Sequence, residues 1–350
     1  MVLTTTPTAA RRVPSPDPRR GRTAPVLLLG SAAVVVLCLA SLAIGARSVP
    51  TATVLQALTQ YDPSDTDQLV VVTSRLPRTV LGLLVGAALG LAGCAMQGVT
   101  RNPLADPGIL GVNGGAALAI VLGISVFGVA DASGYVWFAF GGAAVASVLV
   151  YTVAALGREG ATPVKLALAG AAATAFFGAI TTALLLGDQQ AFDQFRFWQV
   201  GSLNGRDLSV TTQVLPFLAV GALLALALGR GLNTLALGDD VARGLGARVG
   251  LIRLATAVAV VLLCGSATAA AGPVGFVGLT IPHVARALVG TDYRRILVTS
   301  MLLGPILLLA ADVIGRVIAR PGEVQVAIVT AAIGAPVFVA LVRRHRLAGL

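Results

Sequence analysis

The sequence predicts an all-α integral membrane protein of about ten transmembrane helices. Three observations carry that prediction. Of 350 residues, 56% are hydrophobic and 11% charged, against about 25% charged in an average soluble domain. The mean hydropathy is +0.89. Apolar runs of about 20 residues, the length that crosses a bilayer core, also recur from one end of the chain to the other. Only 5% of residues are aromatic while 41 are glycine, the small-residue bias that lets transmembrane helices approach closely.

Residues 1–25 carry Arg11, Arg12, Arg19, Arg20 and Arg22 among several prolines, which predicts a disordered basic tail. A single ten-helix apolar domain then runs over 26–350. Its first span is 26–46, too long for a signal-peptide core, although cleavage after Ala46 is the alternative; neither arginine pair continues into a twin-arginine signal. Further spans are expected at 76–98, 108–128, 135–156, 164–186, 208–229, 253–272, 273–290, 296–318 and 324–342. The stretch 273–290 holds Pro273, Pro282, His283 and Arg286. It reads as a broken helix, tolerated only where protein or a water-filled cavity covers the freed backbone.

Ten spans place both termini on one side. That side collects 18 of the 25 basic residues: the tail arginines, Arg101, Arg158, Lys165, Arg230, Arg243, Arg248, Arg253, Arg286, Arg294, Arg295, Arg343, Arg344 and Arg346. The other holds Arg47, Arg75, Arg78, Arg196, Arg206, Arg316 and Arg320. The richer side is cytoplasmic by the positive-inside rule, so the net charge of +10 reports topology rather than nucleic-acid binding. Cys38, Cys94 and Cys264 sit in apolar runs without CxxC spacing; they read as small core residues, with no disulfide or metal site.

Two connections are unusual. The cytoplasmic loop 230–250 mixes apolar and charged residues. In a helix starting near Asp239, Val241 and Leu245 share a face and Asp239 pairs with Arg243 at i, i+4; a solvated loop is the plainer alternative. The outer loop 48–74 should contain a short helix and an acidic turn with Asp62, Asp65 and Asp67, and it enters the next span through Arg75-Leu76-Pro77-Arg78.

The segment RLPRTVLGLLVGAALGLAGCAMQGVTRNPLADPGILGVNGGA (75–116) resembles the FecCD family of ABC importer permeases, which serve iron siderophores, haem and vitamin B12. So do LNTLALGDDVARGLG (232–246), GPVGFVGLTIPHVAR (272–286), LLLAADVIGR (307–316) and TAAIGAPVFVALV (330–342), in the family's order and spacing. The resemblance implies a type II importer permease with broken helices, in which spans two to five and seven to ten form an inverted repeat. It implies pairing with a second copy or sister permease around a central pathway. It also implies partnership with cytoplasmic ATPases, which would hold the ATP and magnesium, and with an extracytoplasmic solute-binding protein. No cofactor is implied on this chain. Ferric siderophore is the expected substrate, with haem and cobalamin as alternatives, and membrane lipid surrounds the bundle.

Carried over by position, Arg75, Arg78 and Arg316 match arginines that dock acidic residues of the binding protein; lipid anchoring or snorkelling is the competing role. Leu237, Gly238, Asp239, Asp240, Val241, Arg243, Leu245 and Gly246 match the segment resembling a coupling helix against the ATPase, with Gly238 permitting the turn and Asp239 as N-cap. Asn102, Pro103 and Leu104 match a cytoplasmic gate, and Thr162 is the nearest match to a second gate residue, although Pro163 departs from the pattern.

Other classes fit less well. An ion-coupled carrier needs ionisable groups at membrane depth; Asp312 and Arg316, one turn apart, read as an interfacial ion pair. Asn102-Pro103-Leu104-Ala105 occurs without the second copy that an aquaporin needs. An intramembrane enzyme lacks its motifs: the two histidines, His283 and His345, lie near no HExxH or carboxylate pair. His283 reads as a packing residue. No GxxxxGK[ST] loop is present, so any ATP is hydrolysed by another subunit.

Overall fold

The computed structural model describes residues 22–45, 49–129, 131–156 and 162–347, all helices and connections. The basic tail through residue 21, Arg47 and Arg158 lie outside the described residues. Among the described residues, seven helices are long and apolar enough to cross a membrane, and three shorter apolar helices occupy the remaining expected spans.

The first helix, α1 (Thr23–Ala43), is followed by α2 (Thr51–Thr59) and α3 (Thr66–Val70). Asp65 caps α3 by accepting from the amides of Asp67 and Gln68, the expected work of an acidic residue at a helix start. A π-helical turn, Val71–Arg75, joins α3 to α4 (Leu76–Thr100) without a break. The second span therefore begins at Thr66 rather than 76, and its outer turns carry Arg75. Next come α5 (Val112–Ser125), α6 (Ala132–Ala155), α7 (Pro163–Gly187) and α8 (Gln189–Gln199). They are followed by α9 (Leu208–Ala227), α10 (Gly229–Ala236) and α11 (Asp239–Gly244). A second π turn, Val261–Gly265, links α12 (Val249–Val260) to α13 (Ser266–Ala271). The chain ends in α14 (Val277–Val289), α15 (Tyr293–Ile318) and α16 (Val326–Leu347).

Helix α4 is the axis of the bundle, with α15, α14, α9 and α12 packed around it. Backbone meets backbone here because the contacts are glycine. A methyl group on Gly93 would stand 1.9 Å from the carbonyl oxygen of Gly278, and one on Gly86 2.6 Å from the nitrogen of Pro305. Such contacts let dispersion forces act over the full helix surface where lipid offers no hydrophobic drive.

Two spans are half-helices. The chain leaves α4 through residues 101–106 and the short turn Pro107–Leu110 before α5 begins, and it leaves α13 through an extended stretch, 272–276, before α14 begins. The two starts meet: a methyl group built on Gly278 would lie 3.1 Å from Pro107. The break in 273–290 is as the prolines predict, except that Pro282 sits inside α14 and Pro273 precedes it. The half-length of α5 was not expected, because residues 108–128 carry no charge and only Asn113 and Ser125 as polar side chains. Nor was α8, an amphipathic helix that buries Ala191, Phe195 and Trp198 beside the outer loops.

Candidate functional site

At the end that the charge asymmetry assigns to the outside, Arg75, Arg78 and Arg316 come together, but not as surface cations. They are 6%, 5% and 1% exposed. Arg78 donates to Asp312 from Nε at 3.1 Å and from Nη2 at 2.7 Å, and from Nη1 to Glu323 at 2.7 Å. Arg316 closes on the same Asp312 and donates to the Ser41 carbonyl at 2.7 Å and its hydroxyl at 3.0 Å. Arg75 donates to the carbonyls of Leu42 and Ala43, both at 2.7 Å, and Arg320 to that of Gly45 at 2.9 Å.

The physical logic is that of a helix C-terminus. The last carbonyls of α1 have no intrahelical donor, and arginines are suited to the negative end of the dipole. The cluster thus bolts α1 to α4 and α15. Beside the docking role expected of them, these arginines find acceptors inside the chain, Asp312 for Arg78 and Arg316 and the α1 carbonyls for Arg75, as a buried guanidinium requires. Glu323, about a quarter exposed at its side chain, is the acidic member nearest solvent. The expected Asp312–Arg316 pair is present, with Arg78 as a third partner that spacing along one helix could not reveal.

At the opposite end, α10 and α11 form the expected segment. Gly238 turns the chain at φ +101°, a conformation costly for any residue with a Cβ. Leu237, Val241 and Leu245 are 60%, 52% and 66% exposed, an apolar triplet standing off the bundle, with Gly246 closing the turn behind it. The expected Asp239–Arg243 pair is present, but the cap differs from expectation. Gly238, not Asp239, occupies the N-cap position, and no side chain caps the helix. Arg243 lies 3.1 Å from Asp240 and 3.9 Å from Asp239. Asp239 faces the bundle, where Arg253 of α12 reaches it at 2.8 Å and Arg101 at 3.2 Å. Its carboxylate is the point where α11, α12 and the end of α4 converge.

A second strut joins this segment to α15. Asn233 donates to Asp292 at 2.7 Å and accepts from the amide of Tyr293 at 2.8 Å. Burial alone would raise the Asp292 carboxyl, but its hydrogen bonds from Arg294 and Asn233 outweigh burial and hold it below the ordinary range.

The turn Asn102-Pro103-Leu104 follows Arg101 directly. Asn102 Oδ1 accepts from the amide of Leu104 at 2.9 Å, an Asx turn that fixes the loop, and all three residues are exposed. Nε2 of the buried His283 lies 2.8 Å from the carbonyl oxygen of Pro103. His283 is thus a packing residue with a polar task, tying half-helix α14 to the turn. Thr162 caps α7 by accepting from the amide of Lys165. The links of Arg101 and Arg253 to Asp239, and of Asn233 to Asp292, were not anticipated from the sequence. Arg101 alone left a trace, since it immediately precedes the Asn102-Pro103-Leu104 turn.

Comparison with known proteins gives this arrangement a context. The chain is 49% identical over 317 residues to the ferric enterobactin transport system permease protein FepD of Escherichia coli (strain K12), covering 90% of this chain and 94% of that one. It is 40% identical over 328 residues to the iron(3+)-hydroxamate import system permease protein FhuB of Bacillus subtilis (strain 168), covering 93% and 85%. A solved inward-facing structure, described as a metal-chelate type ABC transporter, superposes with a TM-score of 0.79 at 28% identity, covering 92% of this chain and 99% of that one. Residues 33–344 match the FecCD transport family, and the chain, a multi-pass membrane permease, belongs to it.

Proposed function

We propose that this chain is the membrane-spanning subunit of an ATP-driven importer for ferric siderophores. The observation that carries the substrate class is its 49% identity, over nearly its full length, to a ferric enterobactin permease. The surface chemistry is in keeping with it. Leu237, Val241 and Leu245 form an apolar knob of the kind that seats in a cleft of a cytoplasmic ATPase, which would hold the ATP and magnesium and drive the cycle. The struts from that knob reach the end of α4 through Arg101, α12 through Arg253 and α15 through Asn233 and Asp292.

Movement of the knob would therefore pull on the 102–104 turn, the cytoplasmic gate in this reading, with Thr162 at the start of α7 as its second element. The termini face the cytoplasm, and a second copy or a sister permease completes the pathway. The extracytoplasmic binding protein docks at the opposite end. There its acidic residues reach Arg78 by displacing Glu323, while Arg75 and Arg316 hold the docking surface in shape. Selectivity then resides mainly in the binding protein.

The test is purification of the chain from its native membrane in mild detergent. Recovery of an ABC ATPase, with ATPase activity that rises when the binding protein loaded with a ferric chelate is added, supports the reading. Stimulation by haem- or cobalamin-loaded protein, with none by the ferric chelate, would reassign the substrate. Isolation of the chain alone would overturn the importer reading.

A further inference from the structure

The motif GPVGFVGLTIPHVAR holds an aromatic residue, Phe276, in a left-handed backbone conformation. Among the described residues, Arg101 and Phe276 are the non-glycine positions with positive φ, and Phe276 has φ +66°. An aromatic side chain there crowds its own backbone. Glycine stands at 272, 275 and 278, so the chain has the unstrained residue on both sides of the position and still carries a ring at 276.

The surroundings locate that ring. The stretch 272–276 starts beside the outer loop, where the Ser202 amide donates to the Ala271 carbonyl. It ends at α14, whose Gly278 abuts Gly93 of α4. Phe276 rests on Gly334 of α16, where an added methyl group would lie 2.5 Å from its Cβ. Gly334 is eight residues past Val326, so the contact lies about 12 Å along α16 at 1.5 Å per residue, well inside an apolar layer roughly 30 Å thick. Non-helical backbone at that depth is tolerated only against protein or a water-filled cavity. Yet Gly275 is exposed with no atom near a Cβ position, and Phe276 is only partly covered. The open side of this stretch is therefore turned to protein or water, not to lipid.

We propose that Phe276 is the mid-membrane seal of the translocation pathway. Its ring closes the passage between the re-entrant stretch and α16 in the resting state, and the positive φ holds it there. Return of φ to negative values swings the ring off Gly334 and opens the passage. The inference rests on the permease reading, and its test is separable from it.

The test uses the complex assembled with its ATPase, reconstituted in liposomes with trapped carboxyfluorescein and no nucleotide. Phe276→Gly accommodates φ +66° without strain, so the complex should keep its thermal midpoint while dye escapes at least ten-fold faster than from wild type. Phe276→Leu should stay tight. Dye retention equal to wild type in Phe276→Gly would overturn the proposal. Should Phe276→Gly fail to assemble, Phe276→Cys in a background with Cys38, Cys94 and Cys264 replaced by Ser gives a second readout. A water-soluble thiol reagent should modify it during ATP turnover and not at rest. Modification that is absent throughout, or equal in both states, would overturn the seal. Failure of ferric-chelate transport with these signatures intact would instead count against the substrate reading.

Discussion

Replacing Asp312 by Asn keeps the shape of the side chain and removes the one carboxylate that faces two buried guanidinium groups. Asp312 is 1% exposed; it accepts three bonds from Arg78 and pairs with Arg316 one turn along α15. Removing one partner of a buried ion pair costs about 3–5 kcal/mol, because the remaining charge stays desolvated. Asn still offers one acceptor oxygen, which places D312N near the lower end, about 3 kcal/mol. That is roughly a hundred-fold in the folding equilibrium at about 1.4 kcal/mol per decade. The comparison is E323Q, whose carboxylate is partly solvated and whose pair with Arg78 should be worth about 1 kcal/mol or less. The assay is thermal unfolding in detergent, followed by a thiol-reactive fluorophore that reaches Cys94 and Cys264, both buried in the folded chain, only on unfolding. D312N should lower the midpoint several-fold more than E323Q does. Equal shifts would refute the argument that this cluster bolts α1 to α4 and α15.

Other substitutions probe the remaining contacts. Gly93→Ala places a methyl group 1.9 Å from the Gly278 carbonyl oxygen, so α14 must separate from α4; loss of a monodisperse peak on size-exclusion chromatography is expected, and a normal peak would contradict the packing. Leu245→Asp puts a charge in the exposed apolar triplet, where it costs the isolated chain almost nothing; it should keep the chain's thermal midpoint and abolish co-purification of the ATPase. Arg101→Met removes an ion pair that is partly exposed on both sides, worth about 0.2–1 kcal/mol. Stability should barely change while chelate transported per ATP hydrolysed falls, and an unchanged ratio would remove the strut from the coupling path.

Much of the bundle is legible because run length and charge asymmetry act locally. The ten expected spans correspond to the seven long and three short apolar helices, and Pro273 marks the break before α14, whereas Pro282 lies inside that helix. The start of α5 at Val112 was hidden because nothing in its apolar run distinguishes a helix that begins at the membrane surface from one that begins inside. Helix α8 was hidden because Asp193 and Arg196 make its stretch look like a loop, although Phe192, Phe195 and Trp198 recur at helical spacing. The outer arginines show the same division. Their positions follow from topology, but their partners, Asp312 from 234 residues away for Arg78 and Ser41 from 275 away for Arg316, exist only in the folded chain. Asp239 looked like a cap because capping is a local pattern; Arg101 and Arg253 reach it through tertiary structure.

In the proposed cycle this permease carries a ferric chelate at the expense of ATP hydrolysed by a partner. Uptake of a radiolabelled ferric tris-catecholate into liposomes containing the assembled complex, with binding protein outside and ATP inside, tests it most directly. Accumulation that requires ATP and is lost in Leu245→Asp is the expected result; uptake that ignores ATP, or follows an imposed ion gradient, would contradict the account.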